Sequence, residues 1–507
     1  MIKKIIIEDR KYTLDEVYEY CSKNHKISLS KPIIEKINFS RKVVDEKSYK
    51  SDPVYGINTG FGKLSQVKID NKDLHLLQSN LLISHAVGVG GPCPDIIVKM
   101  MLLLKIISFS KGFSGVTYEL VDFLIQLFNN NYLPVVPLKG SVGASGDLAP
   151  LSHLSLPLIG KGEIKIDNDI VSSKSALNKI NLKPISLKKK EGLALINGTQ
   201  FSTAYGVFCI YKINELLQIS DIAGAMSLEA MMGSKQPFMQ SVNKLKKFKG
   251  QLKASKNLTN LLANSEIMDS HRFCDRVQDI YSLRCMPQVH GSSRDLIDFA
   301  KNQINIEINS VSDNPLVFSD GSIISAGHFH AETIAHSLDV AAISLASLSN
   351  ISERRTFALL SGDYGLPKFL VSNAGLNSGF MMLQVTAAAL VSENKILANP
   401  SSTDSIPTCS NQEDYVSMAP YSGRKLYDSL HNFQIILAIE LFCGVQGVEF
   451  RDGLKPAKRL NIIYKLIRNK VPFLDKDRLL KTDLDNIVEL INNGTILNTM
   501  SKEINLL

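Results

Sequence analysis

Four long stretches rich in alanine, serine, glycine and branched aliphatic residues mark this chain from about residue 200 onward, at residues 220–232, 338–360, 381–397 and 426–448. None contains a proline, so each can run as an unbroken helix, and the small residues let neighbouring helices pack closely along their lengths. The expected fold is therefore mainly α. A long-helix bundle should occupy residues 206–507, preceded over residues 1–205 by a smaller mixed α/β lobe. At 507 residues, with 44% hydrophobic and 21% charged residues, the composition is that of an ordinary soluble globular protein.

Several function classes are excluded by what the chain carries. The formal charge of +8 comes from lysines scattered over the whole length. Two denser patches, residues 188–190 and 244–256, have no interleaved aromatics and no recognition motif, so they read as solvated loops rather than a nucleic-acid surface. The seven cysteines are far apart and never form a CxxC pair. No disulfide framework or metal site is expected, and a reducing cytoplasm is the natural location. The start, MIKKIII, is too briefly apolar for a signal peptide. Residues 369–392 are uncharged and long enough to span a bilayer. They include Asn373, Asn377, Ser378, Gln384 and Thr386, which hydrocarbon would penalise, so a buried core helix is expected and no membrane association.

The first lobe is read from local signals. Residues 5–7 suggest a strand, Thr13 to Glu16 a capping box, and residues 74–83 a helix ending at Ser84-His85. Residues 99–130 suggest two helices broken near Gly112 to Gly115, and residues 163–170 a hairpin. Between these lies GSVGASGDLAP, residues 140–150, whose centre is Ala144-Ser145-Gly146. Glycine tolerates close approach and unusual backbone angles, so the Gly146 nitrogen could attack the Ala144 carbonyl and close a five-membered ring. Loss of two waters, one involving the Ser145 hydroxyl, would leave an exocyclic methylidene, an electrophile. A bare Ala-Ser-Gly is far more often a turn leading into a helix.

Other segments carry the same ambiguity when read alone. In YGINTGFG, residues 55–62, Tyr55 is either a packed aromatic or a positioned phenol. His85 caps a helix or binds a ligand. In EGLALINGTQ, residues 191–200, Asn197 suits a helix cap. Tyr281 and Arg284, three apart, share one helical face and make either a surface contact or a carboxylate clamp. Glu413 suits a surface ion pair or a cap for the helix that follows.

Taken together and in this order, these blocks resemble the aromatic amino acid ammonia-lyases over about residues 55–478. The resemblance implies that Ala144-Ser145-Gly146 cyclises into the prosthetic group methylidene-imidazolone, MIO, with no external cofactor. It implies that Tyr55 is the catalytic base and that Arg284 holds the substrate carboxylate. Tyr281, Asn197 and Gln278 would position substrate or support MIO, and Phe329 would line the pocket. Ser84-His85, Gln200 and Gln412-Glu413 resemble most the members that act on histidine, with His85 and Glu413 facing the imidazole. The implied reaction converts L-histidine to trans-urocanate and ammonia. The alternatives are a tyrosine or phenylalanine ammonia-lyase and a 2,3-aminomutase. A homotetramer with active sites shared between chains is implied as well. Three residues depart from the histidine pattern: Ile280, His328 and Tyr415.

Overall fold

The computed structural model describes residues 2–47, 55–272 and 275–507. Among them are twenty α-helices and nine strands of at most four residues, so the chain is mainly α as expected. It packs as two compact units. The first comprises Met1–Tyr211, Lys301–Asp339 and Pro400–Arg424, the second Lys212–Ala300, Val340–Asn399 and Lys425–Leu507. The sequence reading draws one boundary, after residue 205, whereas the packing returns two later segments to the first unit. The reason lies in polar anchors: Asn197 Nδ2 donates to the Asn314 carbonyl at 2.9 Å, and the Met418 amide donates to the Val142 carbonyl at 2.9 Å.

The first unit joins short sheets to helices. Lys4–Ile7 pairs in parallel with Lys26–Leu29, and Glu163–Ile166 forms a hairpin with Asp169–Ser172. The capping box forms at Thr13, whose hydroxyl accepts from the Glu16 amide while Glu16 accepts from the Thr13 amide. Helix Asp95–Ser110 is buried without a break from Ile97 to Ser110, including Lys99 and Lys105. A helix buried on all sides must be apolar all round, and its two lysines survive because each amine is satisfied. Lys105 Nζ donates to the carbonyls of Ala194 at 3.1 Å and Asn197 at 2.6 Å. The patch at residues 188–190 is only partly the solvated loop its composition suggests, with Lys188 exposed and Lys189 half-buried. Lys190 is wholly buried and paired with Asp313 at 2.7 Å, because the chain folds back over it.

The second unit is centred on residues of four long helices, Gln200–Ala230, Met286–Ile308, Glu332–Leu360 and Ala419–Val448. Their small residues do permit close approach. A Cβ on Gly250 would fall 2.0 Å from the Gly291 carbonyl oxygen, so the backbones of Lys249–Leu261 and Met286–Ile308 touch. Polar ties run through the same core. Arg355 and Glu440, both fully buried, form a bidentate pair at 2.5 and 2.9 Å. Ser227 and Ser352 donate to the same carboxylate at 2.8 and 2.6 Å, which leaves none of its charge without a partner.

One expectation fails here. Residues 369–392 are not a buried helix. The helix begins at Met381 and ends at Leu397, and Leu383, Ala387 and Asn394 are its buried residues. Those three make a single narrow stripe, so Met382, Val385 and Ile396 on the other faces remain 62%, 47% and 68% exposed. Among the described residues, Glu332–Leu360 is the helix long and apolar enough to cross a membrane, and 67% of its apolar window is buried within the protein. Six cysteines are free thiols, and Cys274 lies outside the described residues.

Candidate active site

The Ala-Ser-Gly loop is held between two walls. On one side Gly146 forms a parallel bridge with Gly198, and the Asp147 amide donates to the Gly198 carbonyl at 2.8 Å. Gly146 adopts φ +77°, and a Cβ there would lie 2.2 Å from the Gly198 oxygen, so only glycine fits. On the other side Ala144 packs with Val142, Val416 and Met418. Asp147 anchors the exit. Its buried carboxylate accepts from the Ser202 amide at 2.9 Å and hydroxyl at 2.8 Å, while burial pushes it up to about 6. Helix Leu148–Ser155 begins immediately after it.

The Gly198 wall is itself fixed from beneath. The short helix Glu191–Ile196 ends at Asn197, where the chain turns before Gln200–Ala230 begins. Lys105 caps that end through the two carbonyls already described, with favourable charge against the helix terminus. Burial pushes its amine down to about 7, opposed by the nearby charges of Asp313 and Asp147.

The opposite wall carries Gln412 and Glu413 on a strained turn. Cys409, Ser410 and Asn411 have φ of 49°, 53° and 63°, three consecutive left-handed residues that are not glycine. Such strain persists only where the surroundings enforce it. Thr408 and Glu413 enforce it here. Their backbones pair at 2.9 and 3.3 Å, and the Thr408 hydroxyl donates to Glu413 Oε2 at 2.6 Å. The second carboxylate oxygen, Oε1, accepts from the Ser145 hydroxyl at 2.9 Å.

These walls enclose a cavity of about 890 Å³ lined by Tyr55, His85, Ala144, Ser145, Asn197, Phe329, Gln412 and Glu413, among others. Its described lining belongs entirely to the first unit. His85 closes helix Leu74–His85, with its Nδ1 3.0 Å from the Ser84 hydroxyl, and burial holds the imidazole below its ordinary value, hence neutral near pH 7. Burial holds the Tyr55 phenol above its ordinary value, opposed by a hydrogen bond with the Gly62 backbone. A neutral donor-acceptor ring, a carboxylate and a phenol thus surround one serine.

Gln278, Tyr281 and Arg284 are not part of this lining. They belong to the second unit, where Gln278 and Arg284 border a separate cavity of about 590 Å³ with Lys235, His271, Arg272 and Arg276. Tyr281 and Arg284 do share one helical turn, with the guanidinium 4.5 Å from the Tyr281 ring centre. Tyr281 is 71% exposed, and Arg284 Nε is buried with no partner among the described residues. Gln200 is buried and donates to Ser312 at 3.0 Å instead of reaching the cavity. His328 also stays outside the lining, its Nδ1 3.3 Å from the Val311 carbonyl, whereas Tyr415 lines it and stacks on His330 with centroids 5.9 Å apart.

Some residues at the site carry no role in the sequence reading. His330, Asn314 and Asn80 line the cavity, Thr408 fixes Glu413, and Lys105 supports Asn197. A single lysine inside the apolar run MMLLLKIISF was the available signal for Lys105, since such a charge needs a buried partner. Thr408 offers no comparable signal.

A helical fold with a glycine-clamped Ala-Ser-Gly loop facing a carboxylate and a phenol is that of a lyase class, and the family model for aromatic amino acid lyases matches residues 12–469. The chain belongs to the aromatic amino acid lyase family. A histidine ammonia-lyase of Myxococcus xanthus is 44% identical over 97% of this chain and 98% of its own length. The crystal structure of histidine ammonia-lyase from Trypanosoma cruzi superposes with a TM-score of 0.92 at 37% identity, covering 99% of this chain and 96% of that one. Tyrosine aminomutase from Streptomyces globisporus gives a TM-score of 0.94 at 32% identity, covering 99% and 100%.

Proposed function

We propose that this protein is a histidine ammonia-lyase, a carbon–nitrogen lyase converting L-histidine to trans-urocanate and ammonia. The observation that carries the reading is the cavity in which Ala144-Ser145 meets Glu413 and His85. The residues present fit MIO: Gly146 has no room for a side chain, and Ala144 is packed against Val416 and Met418. Once formed from Ala144, Ser145 and Gly146, the group supplies an electrophile that makes the substrate amine a better leaving group.

The chain's own residues then bind and move protons. Imidazole is the one common aromatic ring whose own atoms both donate and accept hydrogen bonds, so His85 and Glu413 read it from two sides. Gln412 and Phe329 shape the pocket, and Asn197 positions the substrate. Tyr55 takes the β-proton, a step that requires a positive charge beside a phenol that burial keeps protonated. Arg284 of the partner subunit supplies that charge while binding the substrate carboxylate, with Gln278 and Tyr281 beside it. The tetramer is thus part of the reading. It is supported by the exposure of Tyr281 and by the apolar surface of helix Met381–Leu397. The free thiols fit a reducing cytoplasm.

A second reading, a tyrosine-directed lyase or 2,3-aminomutase, is favoured by Tyr415, which stands in the cavity lining. Purified protein mixed separately with L-histidine, L-tyrosine and L-phenylalanine separates the two. The ultraviolet absorbance of urocanate should rise with histidine. A conjugated product from tyrosine alone would overturn the substrate, and a β-amino acid would identify a mutase.

A further inference from the structure

The contact between Ser145 and Glu413 joins residues 268 positions apart, and the substrate-reading role does not explain it. Ser145 Oγ donates to Glu413 Oε1 at 2.9 Å, and Thr408 holds Oε2 at 2.6 Å, so the carboxyl is aimed at the one hydroxyl that must leave when the loop matures. We propose that Glu413 is the general acid for the second dehydration of the Ala144-Ser145-Gly146 loop, and that this dehydration is what frees Glu413 to bind substrate. The inference rests on the MIO reading above.

The chemistry has two stages. In the first, the Gly146 nitrogen bonds to the Ala144 carbonyl carbon. The Ala144 oxygen leaves as water with the protons of the Gly146 and Ser145 nitrogens, and a double bond forms between the Ala144 carbon and the Ser145 nitrogen. In the second, the Ser145 Cα proton passes to solvent, the Cβ–Oγ bond breaks and the Cα–Cβ double bond forms. A hydroxide is a poor leaving group. A proton from solvent, relayed by Glu413 across the existing contact, goes to Oγ, which departs as the second water and leaves the carboxylate as it began.

Neighbouring groups are committed elsewhere. The Asp147 carboxylate is buried and occupied by Ser202. His85 Nδ1 lies against the Ser84 hydroxyl. Once Ser145 has lost its hydroxyl, Oε1 has lost its donor while Thr408 still holds Oε2. A fixed carboxylate with one vacant oxygen is what an imidazole N–H requires, so unmatured protein is also closed to substrate at this position.

The test follows the mass of the peptide containing residues 140–150 in freshly synthesised full-length protein. Wild type should lose two waters. Glu413→Gln should lose the first at the normal rate and the second ~10²-fold more slowly, the lower range of general acid catalysis, so that a species lacking one water accumulates. Thr408→Val, which leaves the carboxyl in place but unfixed, should slow the second loss by a smaller factor and serves if Glu413→Gln does not fold. Loss of both waters at the wild-type rate in Glu413→Gln, or in Thr408→Val if that alone folds, overturns the proposal. Loss of neither water in a folded Glu413→Gln protein also overturns it, because Glu413 would then act on ring closure. A wild-type protein that loses no water refutes the MIO reading itself, which is a different failure.

Discussion

Gly146→Ala puts the clamp on the Ala-Ser-Gly loop to a quantitative test. The residue sits at φ +77°, where an L side chain costs ~1–2 kcal/mol. Its new Cβ would lie 2.2 Å from the Gly198 oxygen and 2.7 Å from the Gly198 carbon, both backbone atoms that cannot swing aside. Forcing an extra carbon into a packed site adds ~1–3 kcal/mol, for a total of about 2–5 kcal/mol. That is a large part of the ~5–15 kcal/mol by which domains are stable, so the variant should fold but unfold at lower urea. Relieving the clash must displace Gly146 itself, so its nitrogen leaves the position in which the bridge to Gly198 holds it. Urea midpoints at one protein concentration, with peptide masses over residues 140–150, report both effects. Gly91→Ala is the control, since a Cβ there meets nothing within 4 Å. A Gly146→Ala protein as stable as that control, with both waters lost, would refute the clamp.

Other outcomes follow from the same geometry. Tyr55→Phe keeps the ring and its edge contact with Phe61, so it should fold normally and lose ~10²–10⁴ in turnover; near-normal turnover would move the base role to Tyr281. Mixing Tyr55→Phe with Arg284→Ala protein should restore activity if the two residues meet from different chains, and a fully active monomer would exclude it. Arg355→Met strands the buried Glu440 carboxylate and should cost ~3–5 kcal/mol in urea unfolding, a value near zero showing the pair to be dispensable. Lys105 has a folded value lowered to about 7, so the unfolded chain binds a proton that the folded one lacks between that pH and the ordinary 10.5. Its contribution to stability should therefore rise with pH across that window, and Lys105→Met should flatten the rise; equal slopes in the two proteins would count against it.

The sequence by itself determined the fold class and the local pieces. Proline-free small-residue stretches become the long helices, Thr13 to Glu16 becomes a capping box, and residues 163–172 become a hairpin, because periodicity, caps and turns depend on neighbours a few positions away. The glycine pattern of residues 140–150 likewise marked the loop that the fold clamps. Burial of individual charges and of whole faces was decided by tertiary structure. Lys190 looked solvated in a run of three lysines and is buried against Asp313, and Met381–Leu397 looked like core and is mostly exposed. Composition reports how apolar a segment is, but not which surface comes to cover it. The partnership of Ser145 with Glu413 is of the same kind. Nothing within either segment specifies it, since it exists because Met418 is pinned to Val142 and carries the strained 409–413 turn to the loop.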